Sequence, residues 1–154
     1  MRRSTILAAL VAALSIGCGS SEPRQVPVTG KLTLNGEPLE GASVTFAPDP
    51  TNPVSTPGGA SSGPDGAFTV KSADRDGLAP GKYKVLVIKS TLKNGAKVPD
   101  EFKDDPMMLV TSGLTVESLP PEYGNADTSP LRAEVTDDGD EFEFDVKQTA
   151  KKKK

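Results

Sequence analysis

The chain reads as an all-β protein, an antiparallel sandwich of six or more short strands, on three observations. Apolar residues recur at every second position in several segments, the period of a half-buried strand. Fourteen prolines and fifteen glycines punctuate the sequence and leave little room for helices. Turn pairs of the Asn-Gly and Asp-Gly type separate the alternating segments. The 154 residues leave room for one domain with one core.

The first strand puts Val26, Val28, Leu32 and Leu34 on one face and Thr29, Lys31 and Thr33 on the other. Asn35-Gly36 follows, a pair in which both residues tolerate positive φ. After Pro38-Leu39 and Gly41, a second strand turns Ala42, Val44 and Phe46 inward. Asp49 to Pro64, rich in Pro, Ser, Thr and Gly, reads as a long loop too polar to pack. Asp65-Gly66 leads into a third strand carrying Phe68 and Val70, and Ala73 to Ala79 reads as another loop, closed by Pro80-Gly81. Tyr83 to Ile88 is apolar on both faces, which predicts a central strand covered on both sides. Ser90 to Pro130 has no legible regular structure. Leu131, Ala133 and Val135, then Phe142, Phe144 and Val146, mark two last strands joined across Asp137-Asp138-Gly139-Asp140. Val44, Phe68, Val85 and Phe144 are expected to meet in one core. With no Trp, two Tyr and five Phe, that core is expected to be mostly Val, Leu and Ala.

Residues 1–17 have the order of an export signal: Met1-Arg2-Arg3 is positive, Ile6 to Leu14 is apolar, and small residues precede Cys18. The apolar run is far short of the roughly 20 residues that span a bilayer. Ser15-Ile16-Gly17-Cys18 resembles the end of a bacterial lipoprotein signal, where the cysteine is acylated and becomes residue one of the mature protein. The resemblance implies a lipid anchor of the palmitate type on Cys18, a tether over 18–25, and a sandwich over 26–148 with a long irregular segment at 90–130. Lipoprotein signals usually place Leu three residues before the cysteine; here that position is Ser15, with Leu14 one step early. Two rival readings stay open. One is an ordinary secretory signal cleaved at Ser15-x-Gly17, which leaves a soluble protein with a free thiol; the other is a retained membrane helix. Cysteine usage supports acylation, because an exported chain with one cysteine forms no internal disulfide and a loose thiol is a liability in an oxidising compartment. At about 0.8 kcal/mol per buried methylene, two or more acyl chains hold a soluble domain to a membrane. The expected location is extracytoplasmic, on a bacterial membrane, the outer rather than the inner.

Three blocks in the middle of the chain carry a second resemblance. Val28-Thr29-Gly30 with Asn35-Gly36-Glu37-Pro38-Leu39-Glu40-Gly41-Ala42-Ser43-Val44 opens it. Pro64-Asp65-Gly66-Ala67-Phe68-Thr69-Val70 and Leu78-Ala79-Pro80-Gly81-Lys82-Tyr83-Lys84-Val85 follow in order. Together they resemble a carboxypeptidase regulatory-like domain, and Leu119 to Tyr123 with Phe142 to Val146 is similar to the end of small bacterial lipoproteins built on that domain. The resemblance implies a transthyretin-like (prealbumin-like) Greek-key sandwich of about seven antiparallel strands. It implies no activity, since such domains accompany peptidases without cutting. The related hydroxyisourate hydrolase uses histidines, and this chain has none.

Composition narrows the chemistry further. There are 18 basic and 21 acidic residues; losing Arg2 and Arg3 with the signal and setting aside Lys151 to Lys154 leaves 12 basic against the same 21 acidic ones. An acidic body argues against nucleic-acid binding, which rests on Lys and Arg neutralising phosphates. The missing histidine removes the usual general base and the commonest zinc ligand, so no enzymatic activity and no cofactor are expected. Ser90-x-x-Lys93 matches the nucleophile motif of penicillin-binding proteins, but the other two motifs are missing. The turns around Asp74 and Asp76 and around Asp137, Asp138 and Asp140 are weak calcium candidates with incomplete ligand spacing; Asp and Gly are also what turns use. Tyr123, the one aromatic residue in an evident loop, is a candidate for sugar contact or is pinned by its prolines. Met107-Met108-Leu109-Val110 either packs on its own domain or forms a patch for another protein. Residues 149–154 are expected to be a disordered basic tail, and Lys151 to Lys154 are solvated or rest on an anionic membrane. The expected partners are a membrane, through Cys18, and an unidentified envelope protein or glycan.

Overall fold

The computed structural model of the protein describes residues 23–53, 56–93, 108 and 111–148. Cys18, Met107, the rest of residues 1–22 and residues 149–154 lie outside the described residues, and with them the expected signal and basic tail. The strands are β1 (Val28–Leu34), β2 (Glu37–Pro38), β3 (Ser43–Pro48), β4 (Gly58–Ser61), β5 (Ala67–Thr69), β6 (Lys71–Ser72), β7 (Arg75–Asp76), β8 (Gly81–Ile88), β9 (Ser90–Leu92), β10 (Thr115–Glu117), β11 (Arg132–Val135) and β12 (Asp140–Val146). One 3-10 turn, Pro121–Gly124, joins β10 to β11. The protein is all-β, as the alternation and turn pairs predict.

Two sheets face each other across the core. The first runs β12-β1-β2, with β5 also on β1; the second runs β11-β8-β3-β4-β6-β7. β9 and β10 pair only with each other, as a separate ribbon. The chain changes sheet next to Val70, which is fully buried. Its N–H donates to Val28 O at 2.9 Å, completing the β5 edge of the first sheet. Lys71, one residue on, already pairs with Gly59 in the second.

One pairing departs from an antiparallel sandwich. β1 and β12 are parallel over seven residues, Val28 opposite Asp140 through Leu34 opposite Val146. A parallel pair needs a crossover connection, and here the crossover is the whole of the domain between them. β11 and β12 are therefore not partners across Asp137–Asp140; β11 pairs with β8 in the other sheet.

The core confirms the alternation in detail. Val28 and Leu32 point inward from β1, Val44 and Phe46 from β3, and Tyr83, Val85 and Val87 from β8. Phe68, Ala133, Val135, Phe144 and Val146 also belong to it. The rings are scarce but concentrated. Phe46 lies 6.1–6.4 Å, centroid to centroid, from Phe68, Tyr83, Phe142 and Phe144, a spacing at which aromatic pairs attract beyond their buried area. The core thus centres on an aromatic cluster inside a shell of Val, Leu and Ala.

Three expectations fail for physical reasons. β4 lies inside the stretch read as loop: Gly58 to Ser61 pair with Phe46 to Ser43. A strand of glycines and small polar residues has no apolar alternation to betray it, and the space above Gly58 is already taken. A Cβ there would stand 2.2 Å from Leu78 Cδ2. The 73–79 stretch is partly a hairpin, β6 to β7, turned by Ala73 and Asp74 at positive φ. β8 is central in its sheet but covered on one face only: Lys84 and Leu86 are half-buried, and Ile88 is 38 % exposed.

Removing the central ring tests this packing. Phe46→Ala should cost about 3–5 kcal/mol in denaturant unfolding, whereas Thr69→Ala, on the outer face of β5, should stay within about 0.5 kcal/mol. Equal effects would contradict the assigned faces.

Candidate functional site

The β1–β12 pair gives the sandwich two ends, about 20 Å apart at a strand rise of roughly 3.3 Å per residue. At the first end the N-terminal segment joins the domain. Val26 and Leu78 exchange backbone hydrogen bonds of 2.8 and 3.0 Å, Arg24 Nη2 donates to Asp137 O at 3.1 Å, and Gln25 Nε2 donates to Ser72 O at 3.2 Å. Both acidic turns therefore gather here. Gly77, at φ +99°, brings its Cα so close to Val26 that a Cβ would lie 2.1 Å from the Val26 carbonyl oxygen, so a side chain is excluded by both conformation and space.

The five aspartates share this end without forming a ligand set. Asp76 makes an exposed ion pair with Lys71 at 3.5 Å. Asp140 Oδ2 accepts the Thr136 N–H at 2.6 Å, and Asp74 has positive φ in the hairpin turn. Asp137 and Asp138 are exposed. Among the described residues no three His, Cys, Asp or Glu converge on a point where a metal could be held. Of these carboxylates, that of Asp140 holds a turn amide and that of Asp76 pairs with Lys71.

The other end carries the ribbon and the 3-10 turn. Ser118 N–H donates to Lys89 O at 2.8 Å, and Gln148 Nε2 donates to Ser118 O at 2.7 Å. Tyr123 is 6 % exposed and its hydroxyl accepts the Lys147 N–H at 3.0 Å. Its ring is core and offers no face to a sugar, which corrects the reading of Tyr123 as a ligand contact. Ser90 opens β9 and Lys93 lies one residue past its end, so the two are separated by an extended segment. They cannot converge as they would on a helix. Met108 is 53 % exposed, and Leu114 and Val116, which the sequence did not single out, are exposed at 39 % and 44 %.

On the outer face of the second sheet, a groove between β8 and β11 is lined by Asp49, Lys82, Lys84, Arg132 and Glu134 over Tyr83 and Ala133. Register sets Arg132 opposite Lys84 and Glu134 opposite Lys82. The Asn52 side chain clamps the start of β8, donating to Lys82 O at 2.7 Å and accepting the Lys82 N–H at 2.9 Å. Arg132 Nη1 donates to Ser129 O at 2.6 Å and Leu131 O at 2.7 Å, and the buried Ser129 hydroxyl donates to Val85 O at 2.5 Å. Asp49 is held below the usual carboxylate range first by the Thr51 hydroxyl, at 2.7 Å, then by the Thr51 amide, with Lys84 and Lys82 adding. Sequence reading missed this groove because only strand register brings the two short charged stretches together.

A second polar cluster fastens the outer face of the first sheet. Asp145 Oδ1 accepts the Thr33 hydroxyl at 2.9 Å and the Gly36 N–H at 3.0 Å, and Asp145 Oδ2 pairs with the Lys147 ammonium. Lys147 first, then the Gly36 amide and Thr33, pull the Asp145 carboxyl below its ordinary value.

Among known proteins, the chain matches no family model, no curated protein and no solved structure.

The Asp145 cluster has a pH signature. A carboxyl with a depressed folded-state pKa stabilises the fold above its ordinary value of 3.8, and the stabilisation is lost as pH falls through the lower folded value. The Tm gap between wild type and Asp145→Asn should be constant above about pH 5 and shrink as pH falls below the ordinary carboxyl value of 3.8. A gap unchanged down to about pH 2 would exclude a role for the charge.

Proposed function

We propose that this protein is a lipid-anchored, extracytoplasmic module of a bacterial cell envelope that holds another envelope component and catalyses no reaction. In this reading Cys18 carries the acyl chains, and residues 18–25 span from the membrane to Val26. The domain is a carboxypeptidase regulatory-like sandwich of transthyretin-like, Greek-key connectivity. The residues behind that resemblance support it through structural work: Asn35-Gly36 and Asp65-Gly66 turn the chain, and Val44, Phe68 and Tyr83 fill the core.

The observation that carries the proposal is the opposition of the two ends. The N-terminal segment joins at Val26 and Leu78, while the ribbon with exposed Leu114 and Val116 stands at the end where β1 and β12 finish. A domain tethered at Val26 would therefore present its exposed apolar residues away from the membrane. Exposed apolar residues grouped in this way are characteristic of protein contact surfaces.

Two measurements in intact cells test the reading. Cys18→Ser should move the protein from the membrane fraction to the soluble exported fraction or leave it as uncleaved precursor. A photo-crosslinking residue at position 116 should capture a partner that Leu114→Glu abolishes without changing Tm, while one at position 74 should not. Wild-type protein recovered without detergent as a soluble thiol-bearing form would exclude the anchor. Equal capture from positions 74 and 116 would exclude the display role of the ribbon.

A further inference from the structure

We infer that the groove between β8 and β11 is a binding site for a small anionic group, a phosphate or a carboxylate. The chain as a whole is acidic, with 21 acidic against 18 basic residues, yet this groove collects Lys82, Lys84 and Arg132. Register puts Arg132 directly opposite Lys84 on the same outer face. Like charges facing each other across an antiparallel pair destabilise it, and a local conflict of that kind in an otherwise consistent fold points to a functional demand.

No carboxylate among the described residues is in ion-pair contact with a groove cation, although Lys84 and Lys82 both act on Asp49 through space. Among the described residues Lys71 pairs with Asp76 and Lys147 with Asp145, and none of the three groove cations takes part in an ion pair. Two carboxylates border the groove. Asp49 is turned to Thr51, from which its Oδ1 accepts both the amide and the hydroxyl hydrogen. Glu134 stands opposite Lys82 but forms no ion pair with it.

The groove is held in shape before any ligand arrives. Asn52 fixes Lys82 through both of its backbone groups. Arg132 spends Nη1 on two carbonyls, while its Nε and Nη2 have no acceptor among the described residues. A guanidinium fixed at one corner keeps N–H donors in a planar fork suited to the oxygens of a carboxylate or phosphate. Lys84 is half-buried and supplies a second charge from the facing strand.

Backbone-amide shifts of the purified full chain, titrated with inorganic phosphate and separately with glucuronate at low ionic strength, test the site. Shifts centred on residues 82–84 and 131–134 are expected to saturate in the millimolar range, and the tighter of the two ions identifies the preferred group. Arg132→Gln and Lys84→Gln should each weaken binding about five-fold or more, since each removes a charge-assisted contact. Glu134→Gln should tighten it, a gain that no loss of folding can mimic. Lys31→Gln, on the opposite sheet, should change nothing. No saturable shift with either ion, shifts spread over all lysines, or binding unchanged by both Arg132→Gln and Glu134→Gln would overturn the site.

Discussion

The parallel pairing of β1 with β12 is the constraint from which the rest of the architecture follows. It brings the first and last strands of the domain side by side, so the core cannot be completed until nearly all the chain is in place. Because both strands run the same way, the domain acquires a direction. The N-terminal segment and both acidic turns lie at the end where they begin, and the ribbon, Tyr123 and Gln148 lie where they finish. An antiparallel pair would have put the start of one beside the finish of the other and mixed these features. The close approach of Gly77 to Val26 and of Gly139 to Pro27 follows from the same pairing, because two turns must pass the incoming chain at backbone distance.

Packing between the sheets depends on few rings used economically. Phe46 alone touches rings from β5, β8 and β12, so a single side chain of β3 joins elements far apart in sequence. Small residues make that contact possible. A Cβ on Gly30 would stand 2.5 Å from the Phe68 ring, in space that the ring already fills. Ser62, Ser72 and Ser129 are the buried polar exceptions, and each is hydrogen-bonded to backbone: the Ser62 hydroxyl accepts the Ala42 N–H, and those of Ser72 and Ser129 donate to Pro57 O and Val85 O.

What the sequence reveals and what it hides divides along these lines. Alternation exposed β1, β3, β5, β8, β11 and β12, because each turns one apolar face to the other sheet. It could not expose β4, where Gly58 and Gly59 contribute backbone rather than side chains, nor the β9–β10 ribbon, whose two strands pair with each other and pack little. The apolar outer face of β8 suggested double cover, but Leu86 and Ile88 are only partly sheltered, and Gly124 approaches Ile88 at one point. Partnership was the hardest property to read. That Asp137–Asp140 links two sheets rather than two neighbours is a fact of register, and so is the meeting of Lys82 and Lys84 with Arg132. The acidic turns read alike either way, since Asp and Gly in short runs suit both a turn and a cation loop; in the structure Asp140 holds the Thr136 amide.

Crosslinking between β1 and β12 examines the central constraint directly. Thr29 and Glu141 face each other in the parallel register, whereas an antiparallel pairing of the same strands would set Thr29 against Asp145. In a Cys18→Ser background, Thr29→Cys with Glu141→Cys should form a disulfide readily, because neighbouring strands lie about 5 Å apart. Thr29→Cys with Asp145→Cys should not, since four residues along a strand separate them by roughly 13 Å. Ready oxidation of the second pair in place of the first would contradict the parallel pairing, and with it the two-ended domain on which the functional reading rests.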